Sequence, residues 1–215
     1  MCQLMHVLED SSSVITRSGS TLMEGFVNRH TKLACTLLLF SVVLIIQGCH
    51  SCDGPSCGIP PFKVPFHFPA AFWNDGGTIQ FNNNCYNYAN NKRTDTFAQP
   101  GRYAGAMYTS LTCSAVHKAA EADGLKPSSA SAECPCKKDK IALVVAPGFD
   151  FHWYRLGFDG MWSHKPGGTQ ATDVDSSGNP ISNPETANRG VYTDFCGYFC
   201  SCSDSGQGQG HEQIN

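Results

Sequence analysis

One cysteine and two histidines follow each other along the chain in an order that suits nucleophilic chemistry. They are Cys85 in NNNCY, His152 in DFHWYR and His164 in WSHKPG. A free thiol is mostly protonated at neutral pH, so a nucleophilic cysteine needs an imidazole to take its proton and a third polar group to orient that imidazole. The three residues are therefore candidates for a cysteine hydrolase site. The alternative is that Cys85 is disulfide-bonded and both histidines are structural.

A helix is predicted to begin at Cys85. The asparagines at 82–84 offer side-chain caps for its first turn, and a helix N-terminus favours a thiolate. The preceding residues 78–81 are predicted to form a short strand. Gln80, Asn84 and the backbone N–H of Cys85 are candidate donors to an oxyanion.

A hairpin is predicted to carry the two histidines. The pair at 159–160, Asp-Gly, is a turn signal between the strand with His152 and the strand with His164. A two-residue turn pairs His164 with Arg155, whereas a three-residue loop pairs it with Tyr154, on the face of His152. In the second register the two backbones are about 7 Å apart, within side-chain reach. That register is the one a catalytic site would need.

The remaining patterns predict an α+β domain. Residues 110–123 are typical of a helix that ends at Gly124, and residues 140–147 of a buried strand. Alternation from residue 149 predicts one face with Phe149, Phe151 and Trp153 and the other with Asp150, His152 and Tyr154. Further expectations are a loop at 127–136, an irregular connection at 165–190 and a last strand at 192–199.

The twelve-residue separation of the histidines across a hairpin, downstream of a cysteine that opens a helix, resembles the NlpC-type branch of papain-like hydrolases. The resemblance implies a papain-like fold, with the helix at the cysteine packed on an antiparallel sheet. It also implies Cys85 as nucleophile, His152 as base and His164 as orienting residue. Those enzymes usually carry Asp-Cys-Ser-Gly around the thiol, whereas this chain has Asn-Cys-Tyr-Asn.

An apolar run at 33–46 follows a basic flank at 29–32 and predicts a secretory signal peptide. The run is short of the roughly 20 residues of a membrane-spanning helix, and an uncleaved anchor is the alternative. Met23 would open a signal of more ordinary length. Small residues place cleavage after Gly48 or after Ser51, and no stable membrane span is expected in the secreted chain.

The predicted organisation is a signal peptide at 1–48, a Cys/Pro-rich arm at 49–71, one α+β domain at 72–202 and a disordered Gly/Gln-rich tail at 203–215. The residues at 46–49, Ile-Gln-Gly-Cys, also resemble a bacterial lipoprotein signal. The density of cysteines favours a secreted animal protein instead.

Twelve cysteines occur, and Cys2 and Cys35 lie in the predicted signal, which leaves ten. Ten cysteines in an exported domain imply disulfides. If Cys85 is free, nine remain, and one pairs with another chain unless cleavage after Ser51 removes Cys49. Zinc ligation is the alternative, which an oxidising compartment disfavours. The disulfide candidates are Cys49, Cys52, Cys57, Cys113, Cys134, Cys136, Cys196, Cys200 and Cys202.

The formal net charge of −3 gives no reason to expect nucleic acid as a partner. The sequence at 173–178, DVDSSG, fits the opening of a calcium loop, with Asp173 and Asp175 as weak candidate ligands. Position 12 of such a loop would be Pro184, and no helices are predicted to flank it, so a solvated turn is the alternative. No other cofactor is expected.

Three long motifs between residues 83 and 202 carry a second resemblance: CYNYANNKRTDTFAQPGR, VVAPGFDFHWYRLGFDGMWSHKPGGT and TDFCGYFCSC. They resemble the insoluble shell-matrix proteins that clam mantle secretes. The resemblance implies an extracellular protein of biomineralization, retained in the organic matrix of a calcified shell with other matrix components as partners, some through disulfides. Two hypotheses follow, a disulfide-stabilised matrix component and a secreted papain-like cysteine amidase or peptidase.

Overall fold

Four helices and a five-stranded sheet form the part of the chain that the computed structural model describes, residues 70–135, 138–201 and 213–214. The helices are α1 (Ala70–Trp73), α2 (Thr78–Asn82), α3 (Cys85–Asn90) and α4 (Cys113–Ala122). The strands are β1 (Lys126–Ser128), β2 (Lys140–Ala146), β3 (Asp150–Leu156), β4 (Trp162–His164) and β5 (Asp194–Cys200). The predicted α+β class is confirmed. Within these ranges no helix has the length and apolar character that a membrane crossing requires.

The strands lie in the order β1-β5-β2-β3-β4, and every neighbouring pair is antiparallel. β2 is central because its sequence KIALVVA is apolar on both faces, and all of it but Lys140 is buried. Alternate residues of a strand point to opposite faces. Leu143 and Val145 accordingly pack in one cluster, the helix-side core, and Ala142 and Val144 in another, the segment-side core.

The helix-side core joins α3 and α4 to the sheet. Tyr86 and Ala89 of α3 and Val116 of α4 are buried there with Phe151 and Trp153 of β3. α3 begins at the predicted residue because its N-terminus has a complete capping box of asparagines. The sheet face with the aromatic residues is therefore the face that receives the helices.

The segment-side core is closed by residues 172–193, which we call the covering segment. It contains no helix or strand, as predicted for the longer connection at 165–190. Ile181 is buried in this core with Tyr154 and Trp162, and Tyr192 packs against it. Two isolated bridges join the segment to β4, Trp162 with Ile181 and His164 with Thr172, and a third, Val174 with Pro180, lies within the segment.

Two disulfides fix β5 to its surroundings. Cys113 at the start of α4 bonds to Cys196, and Cys134 bonds to Cys200. The sequence separations are 83 and 66 residues, so each bridge removes a large loop-closure entropy from the unfolded chain. These four predicted disulfide cysteines are confirmed. The other candidates, Cys49, Cys52, Cys57, Cys136 and Cys202, lie outside the described residues.

Two local predictions are wrong. Residues 78–81 belong to α2 and not to a strand, because the Asp75 carboxylate accepts the N–H groups of Gly77, Ile79 and Gln80 and so caps a helix there. Residues 126–128 form β1 and not a loop, as an edge strand on which Pro127 is tolerated. The helix predicted at 110–123 is α4, which starts later at its Thr112 cap. The predicted signal peptide, the predicted arm up to residue 69 and most of the tail lie outside the described residues, and residues 70–71 of the arm belong to α1.

Candidate functional site

Cys85 is the first residue of α3, as predicted, but it is not a free thiol. Its side chain is 0% exposed and its sulfur is in a disulfide. The other four described cysteines are bonded to one another, so the partner of Cys85 lies outside the described residues. A disulfide sulfur has no thiolate to attack a carbonyl. The prediction of Cys85 as nucleophile is therefore wrong.

The sheet also separates Cys85 from the histidines. Cys85 packs in the helix-side core with Phe151 and Trp153. His152 lies between these two residues on β3, so its side chain projects to the opposite face. There it stacks on Tyr192 of the covering segment, with ring centroids 5.2 Å apart and planes inclined by 27°. The sheet therefore keeps the Cys85 sulfur and the His152 imidazole on opposite faces, so the predicted catalytic site is not assembled.

The contact between the two histidines is confirmed. β3 and β4 pair in the register that sets His164 opposite Tyr154. The turn is the three-residue loop, closed by the Gly157 N–H bond to the Met161 carbonyl. Nε2 of His152 and Nδ1 of His164 are 2.7 Å apart. Nε2 of His164 lies 3.0 Å from the Val174 carbonyl oxygen.

The hydrogens on the two imidazole rings can be assigned by starting from the Val174 carbonyl, the last acceptor in this series of hydrogen bonds. A carbonyl cannot donate, so His164 Nε2 carries a hydrogen and donates it to Val174. In the neutral ring His164 Nδ1 is then an acceptor, and His152 Nε2 donates to it. His152 Nδ1 is left as a buried lone pair that has no hydrogen-bond partner among the described residues. Burial, followed by the charge of His164, lowers the pKa of His152 well below its ordinary value, and burial also lowers the pKa of His164.

The two candidate oxyanion residues have other roles. The Asn84 side chain accepts the N–H groups of Tyr86 and Asn87 and donates to the Ala98 carbonyl, so it is fully used as a helix cap. Gln80 is buried in α2, and its backbone carbonyl oxygen accepts a hydrogen bond from the Lys165 ammonium group. Neither residue faces a reaction centre, because Cys85 is bonded.

The buried asparagine side chains form a hydrogen-bonded network that was not predicted from the sequence. The Asn87 Oδ1 accepts the N–H groups of Asn84 and Ala98, and its Nδ2 donates to the Lys92 carbonyl and the Thr94 hydroxyl. Asn83 similarly accepts two N–H groups, those of residues 94 and 95. These amides replace regular backbone pairing in the loop after α3. The clustered asparagines in NNNCYNYANN are the signal that could have found them.

Sequence comparison shows the family of the chain. Insoluble matrix shell protein 1 from the clam Ruditapes philippinarum is 50% identical to this chain over 124 residues, a match that covers 56% of this chain and 80% of the clam protein. The chain belongs to the insoluble matrix shell protein family. No protein-family model and no solved structure matches the chain.

In this member of the shell-matrix family, the candidate calcium loop is organised by its own backbone. The Asp175 carboxylate accepts the N–H groups of Ser177, Asn179 and Asn188. The bond from Asn179, followed by that from Asn188, lowers the pKa of Asp175. Asp173 is exposed, and within the described ranges no cluster of three or more acidic, histidine or cysteine side chains could hold a metal ion. Calcium binding by Asp173 and Asp175 stays a prediction.

Two buried charged groups of the shell-matrix protein were not found from the sequence. Lys165 is 0% exposed, and its ammonium group donates to the carbonyls of Gln80, Asn83 and Gly167. Burial lowers the pKa of Lys165 to about 7. A neutral amine has two hydrogens for these three acceptors, so the contacts themselves favour the charged form. Because α2 ends beside Lys165, the positive charge also interacts favourably with the negative end of the helix dipole.

Asp123 is the second such group, at the C-cap of α4. Its Oδ2 accepts from the Tyr86 hydroxyl at 2.9 Å and the Gly101 N–H at 2.5 Å. In the part of the chain that the structure describes, its buried Oδ1 has no hydrogen-bond partner. Burial raises the pKa of Asp123 to about 6. An acidic residue in the last turn of a predicted helix is unfavourable for the helix dipole, and this was the signal in the sequence.

Proposed function

We propose that the protein is a secreted component of the insoluble organic matrix of a calcified shell, stabilised by disulfides. The observation that carries the proposal is the 50% identity over 124 residues with a clam protein named insoluble matrix shell protein 1. Export is supported by the apolar run at 33–46 and its basic flank. The disulfides that strap β5 fit an oxidising extracellular compartment.

The charges of the chain bear on how such a protein would be retained. Charged residues make up 15% of the sequence, and the net charge is −3, without an acidic run. A protein that binds mineral directly would need many carboxylates in reach of calcium. We therefore propose retention through contacts with other matrix components, including disulfide bonds to them. The hydrolase alternative lacks a nucleophile and base pair, because the sulfur of Cys85 is bonded and His152 lies on the far side of the sheet.

Shell fractionation tests the proposal. Shell cleaned of tissue is decalcified with EDTA, and the residue is extracted with a denaturant first without and then with a reducing agent. An antibody against the oxidised domain should detect the protein in the insoluble residue, with release into the extract after reduction. Recovery in the EDTA-soluble fraction would contradict an insoluble matrix role. Release by denaturant alone would retain the matrix role and reject the intermolecular disulfides.

The mature N-terminus tests the export step separately. Mass spectrometry of the shell-extracted protein should find a start between Cys49 and Cys52. Peptides from residues 23–46 in that material would show that the predicted signal is retained.

A further inference from the structure

The His152–His164 pair takes no part in the function proposed above. Its contacts nevertheless fix how many protons the two rings can hold while they stay together. Two neutral rings hold two protons on four nitrogens, and the contacts assign both of them. One ring–ring bond and the bond to Val174 use three of the nitrogens. A third proton must therefore enter at His152 Nδ1, which is buried and has no acceptor beside it among the described residues. A fourth would place hydrogens on both nitrogens of the 2.7 Å contact, which cannot then persist.

Within the described part of the chain, the groups that face His152 are aromatic rings and one carboxylate, Asp150, whose oxygens already accept hydrogen bonds. Tyr154 packs edge-on against His152 from its own strand, with ring centroids 5.2 Å apart, and Tyr192 stacks on it from the covering segment. The Tyr192 hydroxyl donates to the Asp150 carboxylate, which also accepts the Phe151 N–H. On β2 the residue opposite His152 is Val144.

Two charges of the covering segment also act near the pair. The field of Asp175 favours the charged form of His164, but three N–H groups already occupy that carboxylate. Arg189 acts on Tyr154 and has the wrong sign to assist an imidazolium. A protonated His152 must therefore reach water to be stabilised.

Access to water requires the covering segment to move. His152 is 2% exposed, and the ring stacked on it is Tyr192. His164 is tied to the other end of the same segment, through backbone bonds with Thr172 in both directions and through Val174. Separation of the rings thus acts on both ends of residues 172–193. Isolated bridges replace a regular ladder between the backbone of the segment and the sheet, and side-chain contacts such as Tyr192 with Asp150 and Asn183 with Tyr198 complete its attachment.

The rest of the sheet is restrained so that it does not open when the covering segment moves. Cys113–Cys196 and Cys134–Cys200 tie β5 to α4 and to the chain before β2. β5 pairs with β2 over most of its length. Lifting the covering segment therefore does not require β5 to leave the sheet.

We propose that the His152–His164 pair is an acid-sensitive latch, which holds the covering segment on the sheet when both rings are neutral and releases it when they take up protons. The released segment exposes Tyr154 and Trp162 on the face it covered. This device does not depend on the shell location proposed above. If both rings stay neutral while closed and titrate near pH 6.5 when open, the opening constant rises by up to about 10³-fold from pH 7.5 to pH 5.

Native-state hydrogen exchange on the oxidised full chain tests the latch. The amides of Thr172 and Trp162 donate to the carbonyls of His164 and Ile181, across the contact between the covering segment and β4, and so report on the attachment of the segment. After correction for intrinsic exchange rates, their protection should fall at least tenfold from pH 7.5 to pH 5, while protection in the β2–β5 pairing stays within a few-fold. Equal loss in both regions, or no loss in either, would overturn the proposal.

The variant His152→Gln keeps a donor toward His164 but cannot be protonated. With His164 as the one titrating ring left in the pair, the variant should lower the upper limit of the acid-dependent rise in the opening constant from about 10³-fold to about 30-fold. His117→Gln is the matched control, because His117 lies on α4 at the other face, 4.5 Å from the Phe199 ring centroid, and should behave as wild type. A His152→Gln profile equal to wild type would reject the latch.

A second measurement needs no variant. Nitrogen-15 spectra of the wild-type imidazoles should show His152 protonated on Nε2 alone at pH 7.5 and gaining its Nδ1 proton over the range in which the segment loses protection. Titration of His152 outside that range would also reject the latch.

Discussion

Asparagine in place of Asp123 tests the electrostatics of the helix-side core. Asp123 is 1% exposed, and from the described residues its Oδ2 accepts two hydrogen bonds and its Oδ1 none. Asparagine has nearly the same shape and can still accept from Tyr86 and Gly101 through its carbonyl oxygen. It cannot ionise. The substitution therefore removes the buried charge and keeps the packing.

The magnitude follows from the pKa of Asp123, which burial raises from 3.8 to about 6. A group whose pKa is raised on folding contributes stability that is complete below its unfolded pKa and is lost as the pH rises through its folded pKa. Each pKa unit corresponds to 1.36 kcal/mol, so wild type loses about 3 kcal/mol between pH 3.8 and pH 7 through this carboxyl. The amide that replaces the carboxyl in the variant does not titrate and should not incur that loss.

Urea unfolding of oxidised wild type and Asp123→Asn from pH 4 to pH 7.5 measures the difference in unfolding free energy. The difference should move in favour of the variant by about 2 kcal/mol over this range, because part of the full change lies below pH 4. The histidine pair lies on the other face of the sheet and should cancel between the two proteins. Glu121→Gln, an exposed carboxyl on the same helix, should give a change within about 0.5 kcal/mol. A difference that does not vary with pH would refute the buried ionised carboxylate.

Three further variants test other parts of the fold by urea unfolding at pH 7. Lys165→Met should cost about 2 to 4 kcal/mol, because three carbonyls lose their donor, whereas the exposed Lys118→Met should be nearly neutral. Asn87→Ala should cost at least about 3 kcal/mol, since it removes four hydrogen bonds from buried surroundings; a cost below about 1 kcal/mol would mean that water replaces them. The double variant Cys113→Ala, Cys196→Ala should cost about 4 kcal/mol from the 83-residue separation. An unchanged urea midpoint would show that the bridge leaves the unfolded chain unrestrained.

The hairpin that carries the two histidines shows how much of the candidate site could be predicted from the sequence. The Asp159-Gly160 signal left two registers open, and burial of Trp162 decides between them. In the observed register Trp162 pairs with Leu156 and lies in the segment-side core, whereas a one-residue slip would turn it to the other face. The cover over that face comes from the irregular residues 172–193, which have no periodicity to read. The register therefore needed a tertiary contact that local patterns do not contain.

The strand predicted for residues 78–81, which form α2, was wrong for a different reason. The residues of TIQFN have mixed preferences, and β-branched and aromatic side chains among them favour a strand. The helix forms because charged groups stand at both ends, the Asp75 carboxylate at the start and the Lys165 ammonium at the end. Lys165 is 85 residues from Gln80 in sequence. Propensity in a short window cannot include such a partner.

The separation of Cys85 from His152 could have been deduced from the sequence. The alternation from residue 149 already set Phe151 and Trp153 on the face opposite His152. A helix that opens CYNYA must bury Tyr86 and Ala89, and the aromatic face of the neighbouring strand is the larger apolar surface available to it. Packing the helix there carries Cys85 to the far side from His152. A Cys-His site on this scaffold would need the histidine at an odd-numbered position of β3, on the helix side of the sheet, and both odd-numbered positions next to His152 are filled by core aromatics. The same alternation that hides His152 from Cys85 brings it to His164 and the covering segment, which makes the pair a structural element of the segment-side core.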